Sequence, residues 1–80
     1  MDYAKFIENL VKPLVLNTED VQVTQFLDDE ELITVQVKVN PDDLGRVIGK
    51  KGRIADSIRT LAYACAAREG KRIAISFEEF

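Results

Sequence analysis

Asp43-Leu44-Gly45-Arg46-Val47-Ile48-Gly49-Lys50-Lys51-Gly52-Arg53-Ile54 is the stretch that organises the rest of the chain. Two glycines flank two lysines between two runs with helical apolar spacing. Glycine at such a break permits positive φ and lets another backbone come close. The helix that follows offers free N–H groups and a partial positive charge at its N-terminus. Lys50 and Lys51 add point charges at the tip, and Arg46 and Arg53 flank it. This combination attracts a phosphodiester backbone without reading its sequence. Two other phosphate motifs fail. A P-loop needs glycines five positions apart, then Lys and Ser or Thr; here Gly45 and Gly49 are four apart and Lys50 precedes Lys51. The dinucleotide fingerprint lacks its third glycine and its parallel βαβ unit. No nucleotide cofactor is implied.

Outward from this stretch the elements follow in order. Asn40-Pro41-Asp42-Asp43 starts a short helix through Leu44, Val47 and Ile48: a capping Asn, Pro at the first position, then two acids. After Gly52 a longer helix places Ile54, Ile58, Leu61, Ala62 and Cys65 on one stripe facing a sheet, with Gly70 as its stop. Upstream, Ile33, Val35, Val37 and Val39 alternate with Leu32, Thr34, Gln36 and Lys38, and Val21 to Leu27 reads as a second extended segment. The two predict a hairpin turning at Asp28-Asp29-Glu30-Glu31, a solvated turn that lacks the glycine and distal glutamate of a calcium loop. Tyr3, Phe6, Ile7, Leu10, Val11 and Leu14 predict an N-terminal helix capped by Asp2 and broken near Pro13. Ile73, Ile75 and Phe77 predict a last strand. The order is α-β-β-α-α-β. Three strands cannot wrap themselves, so the helices must cover one sheet face in a two-layer α+β sandwich.

Eighty residues make one small domain, spanning 1–80, without linker, repeat or low-complexity segment. Apolar residues make up 46% and charged ones 31%, a globular balance. No apolar run reaches the roughly 20 residues of a membrane span, and Met1 to Lys5 has no secretory pattern. The single Cys65 cannot form an internal disulfide and reads as a small buried side chain, which fits a reducing cytoplasm. The absence of histidine removes the common catalytic triads and the usual zinc sites, and no acid–base constellation surrounds the loop. The chain reads as no enzyme, with no metal and no cofactor.

The net charge of −3 averages two unlike parts. Arg46 to Arg72 carries eight basic residues against Asp56 and Glu69, a local +6, and the remainder carries −9. Local sign decides where an anion docks. Arg59, Arg68, Lys71 and Arg72 read as solvated surface.

Val47-Ile48-Gly49-Lys50-Lys51-Gly52-Arg53-Ile54 resembles the KH-domain signature: an apolar pair, Gly-x-x-Gly, then a basic and an apolar residue. With this element order the chain is similar to type II, bacterial KH domains, in particular the small single-KH KhpA-like family. The resemblance covers essentially the whole chain. It implies non-enzymatic binding of single-stranded RNA, RNA-chaperone activity or post-transcriptional control, and a link to cell elongation and envelope homeostasis. It also implies a homodimer, or a heterodimer with a larger KH protein of the KhpB/Jag kind. KH domains clamp about four nucleotides with the Gly-x-x-Gly loop against the backbone. Carried onto this chain, the clamp is Gly49, Lys50, Lys51 and Gly52, flanked by Arg46 and Arg53. The groove floor comes from Ile48, Ile54 and the long helix, with Ser57 as a polar contact. The opposite wall comes from the second strand at Val37, Lys38 and Val39. No aromatic lies between Phe26 and Tyr63, so base stacking is not expected and a lone groove should bind weakly.

The outer face of the long helix is the expected dimer surface. At 100° per residue, Tyr63 lies near 180° from Ile54, with Ala67, Thr60 and Ala64 further round. These carry less charge than a face turned only to water. The alternative function is a protein-interaction adaptor that docks a larger KH partner, with RNA binding secondary.

Overall fold

The computed structural model describes residues 1–27 and 31–80. Helix α1 spans Tyr3–Val11, strands β1 and β2 span Gln22–Leu27 and Leu32–Val39, helices α2 and α3 span Leu44–Ile48 and Arg53–Arg68, and strand β3 spans Arg72–Glu79. Short 3-10 turns occupy Lys12–Leu14, Thr18–Asp20, Pro41–Asp43 and Lys50–Gly52. The α+β class and the α-β-β-α-α-β order agree with the sequence reading. The acidic turn expected at Asp28 to Glu31 lies, for residues 28–30, outside the described residues.

Asp2 caps α1 by accepting the Lys5 N–H at 3.0 Å, and Pro13 turns the chain into a 3-10 turn at the expected place. Tyr3, Ile7 and Val11 bury one stripe of α1, a spacing of one helical turn. Burial, reinforced by the neighbouring Glu69 carboxylate, pushes the Tyr3 phenol up to about 12.

The sheet order is β1-β2-β3, with β1 antiparallel and β3 parallel to the central β2. Only β2 is flanked on both sides, which is why its four alternating β-branched residues, Ile33, Val35, Val37 and Val39, are fully buried beneath the helices. Val37 pairs with Val23 on β1 and Phe77 on β3. A parallel pair needs a crossover, and α2, the Gly-Lys-Lys-Gly turn and α3 provide it. The chain thus does hold a parallel unit, contrary to the sequence reading, and the dinucleotide fingerprint fails on its glycine spacing alone. Both crossover helices pack against β3, and the turn joins them.

The stripe on α3 differs from the expected one. Ala55, Ile58, Ala62 and Ala66 are buried, Ile54 and Cys65 are half-buried, and Leu61 is 51% exposed. The buried arc is centred roughly 80° round from Ile54, which turns Leu61 outward. Small alanines let α3 sit close to the sheet, so the larger Leu61 has no depth to fill on that side. The helix ends at Arg68, and Gly70, with φ 71°, turns the chain so that the Lys71 N–H donates to the Ala66 carbonyl at 2.9 Å.

Candidate nucleic-acid interface

Asn40 starts the segment as expected, its side chain accepting the Asp42 N–H at 2.8 Å. Asp43 does more than favour a helix start. Its fully buried carboxylate accepts the backbone N–H groups of Leu16 and Asn17 at 3.1 and 3.0 Å and the Asn17 side-chain amide at 3.0 Å. It also pairs with Arg46 Nε at 3.4 Å. Burial opposes its ionisation, but the Asn17 and Leu16 hydrogen bonds and the Arg46 charge outweigh that and hold its pKa below the ordinary carboxylate value. One side chain thereby ties the chain before β1 to the start of α2 and orients Arg46. No sequence pattern marks this role, because an acid in a first helical turn is unremarkable on its own.

The sign of the resulting pH dependence follows. A carboxyl whose folded pKa is depressed contributes stability above its unfolded value, here near 3.8, and loses it as pH falls through the folded value. Removing the carboxylate leaves the Leu16 and Asn17 N–H groups without their acceptor, which is costly where water cannot replace it. Asp43→Ala is therefore expected to lower Tm by about 10 °C at neutral pH. Thermal melts of wild type and variant from about pH 6 to about pH 3 check it: the gap between the two should narrow only at the acid end.

The turn itself is built from unusual backbone. Gly49 has φ 78° and ψ 173°, Lys51 φ 58° and ψ 25°, and Gly52 φ 73° and ψ 13°. The Gly49 N–H closes α2 on the Gly45 carbonyl at 2.9 Å, and the Gly52 N–H returns to the Gly49 carbonyl at 3.1 Å. A Cβ on Gly49 would lie 2.6 Å from Ile54 Cγ1, so the glycine lets Ile54 pack against the turn. Lys51 is the only non-glycine residue with positive φ among those described. Such strain concentrates at ligand clamps.

Lys50, Lys51, Arg53 and Arg46 are exposed around the turn, and Ile48 and Ile54 are half-buried beneath it. Ser57 is exposed, but its hydroxyl donates to the Arg53 carbonyl at 2.9 Å. The carboxylates bracketing the basic loop are both neutralised by cations: Asp43 by Arg46, and Asp56 by Arg59 at 3.1 Å.

The three residues expected as the far wall, Val37, Lys38 and Val39, lie on the central strand. Val37 and Val39 are completely buried and Lys38 points to the opposite sheet face, its Nζ 6.0 Å from the Phe80 ring centroid. Successive residues of a strand alternate between faces, and the buried face of a central strand is covered by helices. Helices α2 and α3 pack against β3, where the half-buried Phe77 lies under Arg59 at 5.2 Å from guanidinium carbon to ring centroid. An aromatic and a cation thus stand together at a flank where sequence reading placed neither. Phe77 shares the inward parity of Ile73 and Ile75, and the parallel crossover sets β3 beside the helices; those two facts were the available signal.

The outer face of α3 exposes all four expected interface residues, Thr60, Tyr63, Ala64 and Ala67, with Tyr63 48% exposed. Leu61 extends that face. Among the described residues no helix is long and apolar enough to cross a membrane, and no cluster of three or more His, Cys, Asp or Glu could hold a metal ion.

The αββααβ order, the mixed three-stranded sheet and the Gly-x-x-Gly turn between two helices define a type II KH domain. Residues 4–77 match the family model described as KhpA/KhpB, KH domain. The chain is 44% identical to the RNA-binding protein KhpA of Clostridium perfringens, across 89% of this chain and 93% of the relative. It is 45% identical to the RNA-binding protein KhpA of Listeria monocytogenes, across 94% and 97%. With the RNA-binding protein KhpA of Lactiplantibacillus plantarum the identity is 36%, across 98% and 91%. The chain belongs to the KhpA/KhpB KH-domain family, which is not a family of enzymes.

Proposed function

We propose that this protein binds single-stranded RNA by clamping its sugar-phosphate backbone with Gly49, Lys50, Lys51 and Gly52. The observation that carries the reading is the turn: left-handed backbone at Lys51 and Gly52 presents two exposed lysines above a half-buried apolar floor. Arg46 and Arg53 extend the positive rim. Bases lie over Ile48 and Ile54, with β3 rather than β2 as the far wall. The relatives are named RNA-binding proteins, which favours RNA over single-stranded DNA as the ligand. A clamp held chiefly on the sugar-phosphate backbone suits an RNA chaperone or post-transcriptional regulator in the cytoplasm, and the family resemblance extends the proposal to cell elongation and envelope homeostasis.

Salt dependence tests the clamp. If the two lysines and one flanking arginine neutralise about three phosphates, log K against log salt should have a slope near −2, from about 0.7 counterions released per phosphate on a single strand. A slope near zero would mean that the basic turn does not touch the backbone.

A second feature favours partner docking as part of the function. Leu61 and Tyr63 are both about half exposed on the back of α3, with Ala64 and Ala67 permitting close approach. We infer that this face pairs either with a second copy or with a larger KH protein of the KhpB/Jag kind. Two linked grooves raise the apparent affinity for a longer RNA. In sedimentation over a wide concentration range, wild type should self-associate, and Ala64→Arg and Tyr63→Glu should remain monomeric. Variants that associate as well as wild type would remove this face from the interface.

A further inference from the structure

Asp56 and Arg59 stand on the first two turns of α3, three residues apart on one flank. Their axial separation from Gly52 is roughly 6–10 Å, within the span of a four-nucleotide groove that starts at the turn. Arg59 Nη1 donates to Asp56 Oδ1 at 3.1 Å, and the Arg59 guanidinium lies over Phe77 of β3. Phe77 and Asp56 together restrain the guanidinium; the Arg59 side chain is 31% exposed and that of Asp56 72%. An exposed i,i+3 ion pair contributes little to stability. This one differs from an ordinary surface pair by its seat against an aromatic residue of β3, on a helix that starts at the basic turn.

We infer that this pair selects a guanine in the RNA strand, an inference that rests on the clamp proposed above. Arg59 uses one of its five N–H donors on Asp56, and Asp56 retains Oδ2 and a further lone pair on Oδ1. Side by side, the pair therefore presents acceptors next to donors. Guanine offers the complementary edge: N1–H and N2–H as adjacent donors, with O6 as the neighbouring acceptor. The carboxylate accepts both N–H groups and the guanidinium donates to O6. Adenine, cytosine and uracil each present a single donor group on that edge, so none satisfies the carboxylate twice. Loss of one such bidentate contact corresponds to roughly 10- to 100-fold in affinity. The Asp56 charge does not turn phosphate away, because Arg59 neutralises it.

The test is fluorescence anisotropy of the full chain with labelled RNA octamers: oligouridine, and oligouridine carrying one central guanosine, adenosine, cytidine or inosine. The guanosine octamer should bind about 10- to 100-fold more tightly than the adenosine, cytidine and all-uridine octamers. Inosine, which lacks the 2-amino group, should fall between. In Asp56→Asn, whose side chain is exposed and whose fold is checked by circular dichroism, the guanosine-to-uridine affinity ratio should drop to within about threefold. Equal binding of all octamers by wild type, or an undiminished guanosine preference in Asp56→Asn, overturns the guanine assignment and leaves the clamp standing. No binding of any octamer overturns both.

Discussion

Lys50→Asp combined with Lys51→Asp is expected to lower RNA affinity at least about 100-fold while leaving the fold intact. Both side chains are exposed, neither makes an ion pair with a described residue, and Lys51 contributes only its backbone conformation to the turn. Exposed substitutions away from caps and core typically change stability by less than about 0.5 kcal/mol. The substitutions do more than remove two cations, because they place two anions where phosphate would lie. Charge-assisted hydrogen bonds contribute about 1.5–3 kcal/mol each, so losing two accounts for the effect before repulsion is added. Circular dichroism and a binding titration on the same sample separate folding from binding. A folded double variant with wild-type affinity would remove the turn from the binding site.

Gly49→Ala is expected to be the most damaging single-methyl change in the chain. Gly49 combines φ 78° with ψ 173°, a region open essentially to glycine alone, and a non-glycine residue there costs about 1–3 kcal/mol. The added Cβ would also fall 2.6, 2.9 and 2.9 Å from three atoms of Ile54, which is held between the turn and the core. Relieving that contact means moving α2 away from α3 or expelling Ile54 from beneath the turn. Together these should lower Tm by roughly 10 °C or more and weaken RNA binding even in the fraction that folds. Gly52 provides the control. Its φ of 73° and ψ of 13° are left-handed helical, which Asn tolerates, and nothing lies within 4 Å of its Cβ position. Gly52→Asn should therefore stay within about 1 kcal/mol of wild type. Thermal melts of both variants decide it; equal losses would mean that the Ile54 contact is unimportant.

These contrasts show which parts of the molecule could be read from the chain. Helix and strand positions were legible because apolar spacing, Asp2, Asn40, Pro13, Pro41 and Gly70 are local signals, and each acts where it stands. The turn was legible for the same reason, since Gly49 and Gly52 carry backbone conformations that little else adopts. What failed was sidedness. That Val37 and Val39 are buried on both flanks follows from β2 being the centre of the sheet, and strand order depends on pairing between segments some 40 residues apart. Leu61 falls on the expected stripe by helical spacing alone, whereas close packing of α3 buries Ala55 and Ala66 beside the expected Ile58 and Ala62. Asp43, Arg59 and Phe77 were undervalued because each acquires its role from a partner distant in sequence or on another element: Asn17 for Asp43, and β3 against α3 for the other two.

The most direct test of the backbone clamp is an NMR titration of the uniformly 15N-labelled protein with a short single-stranded RNA at moderate salt. The expected result is saturable shift or broadening of the amides from Arg46 to Ser57, with Phe77 of β3 joining them and the central β2 residues Val37 and Val39 little affected. Saturable shifts confined to the back of α3 or to the open sheet face, with the Gly49–Gly52 amides unmoved, would contradict the clamp.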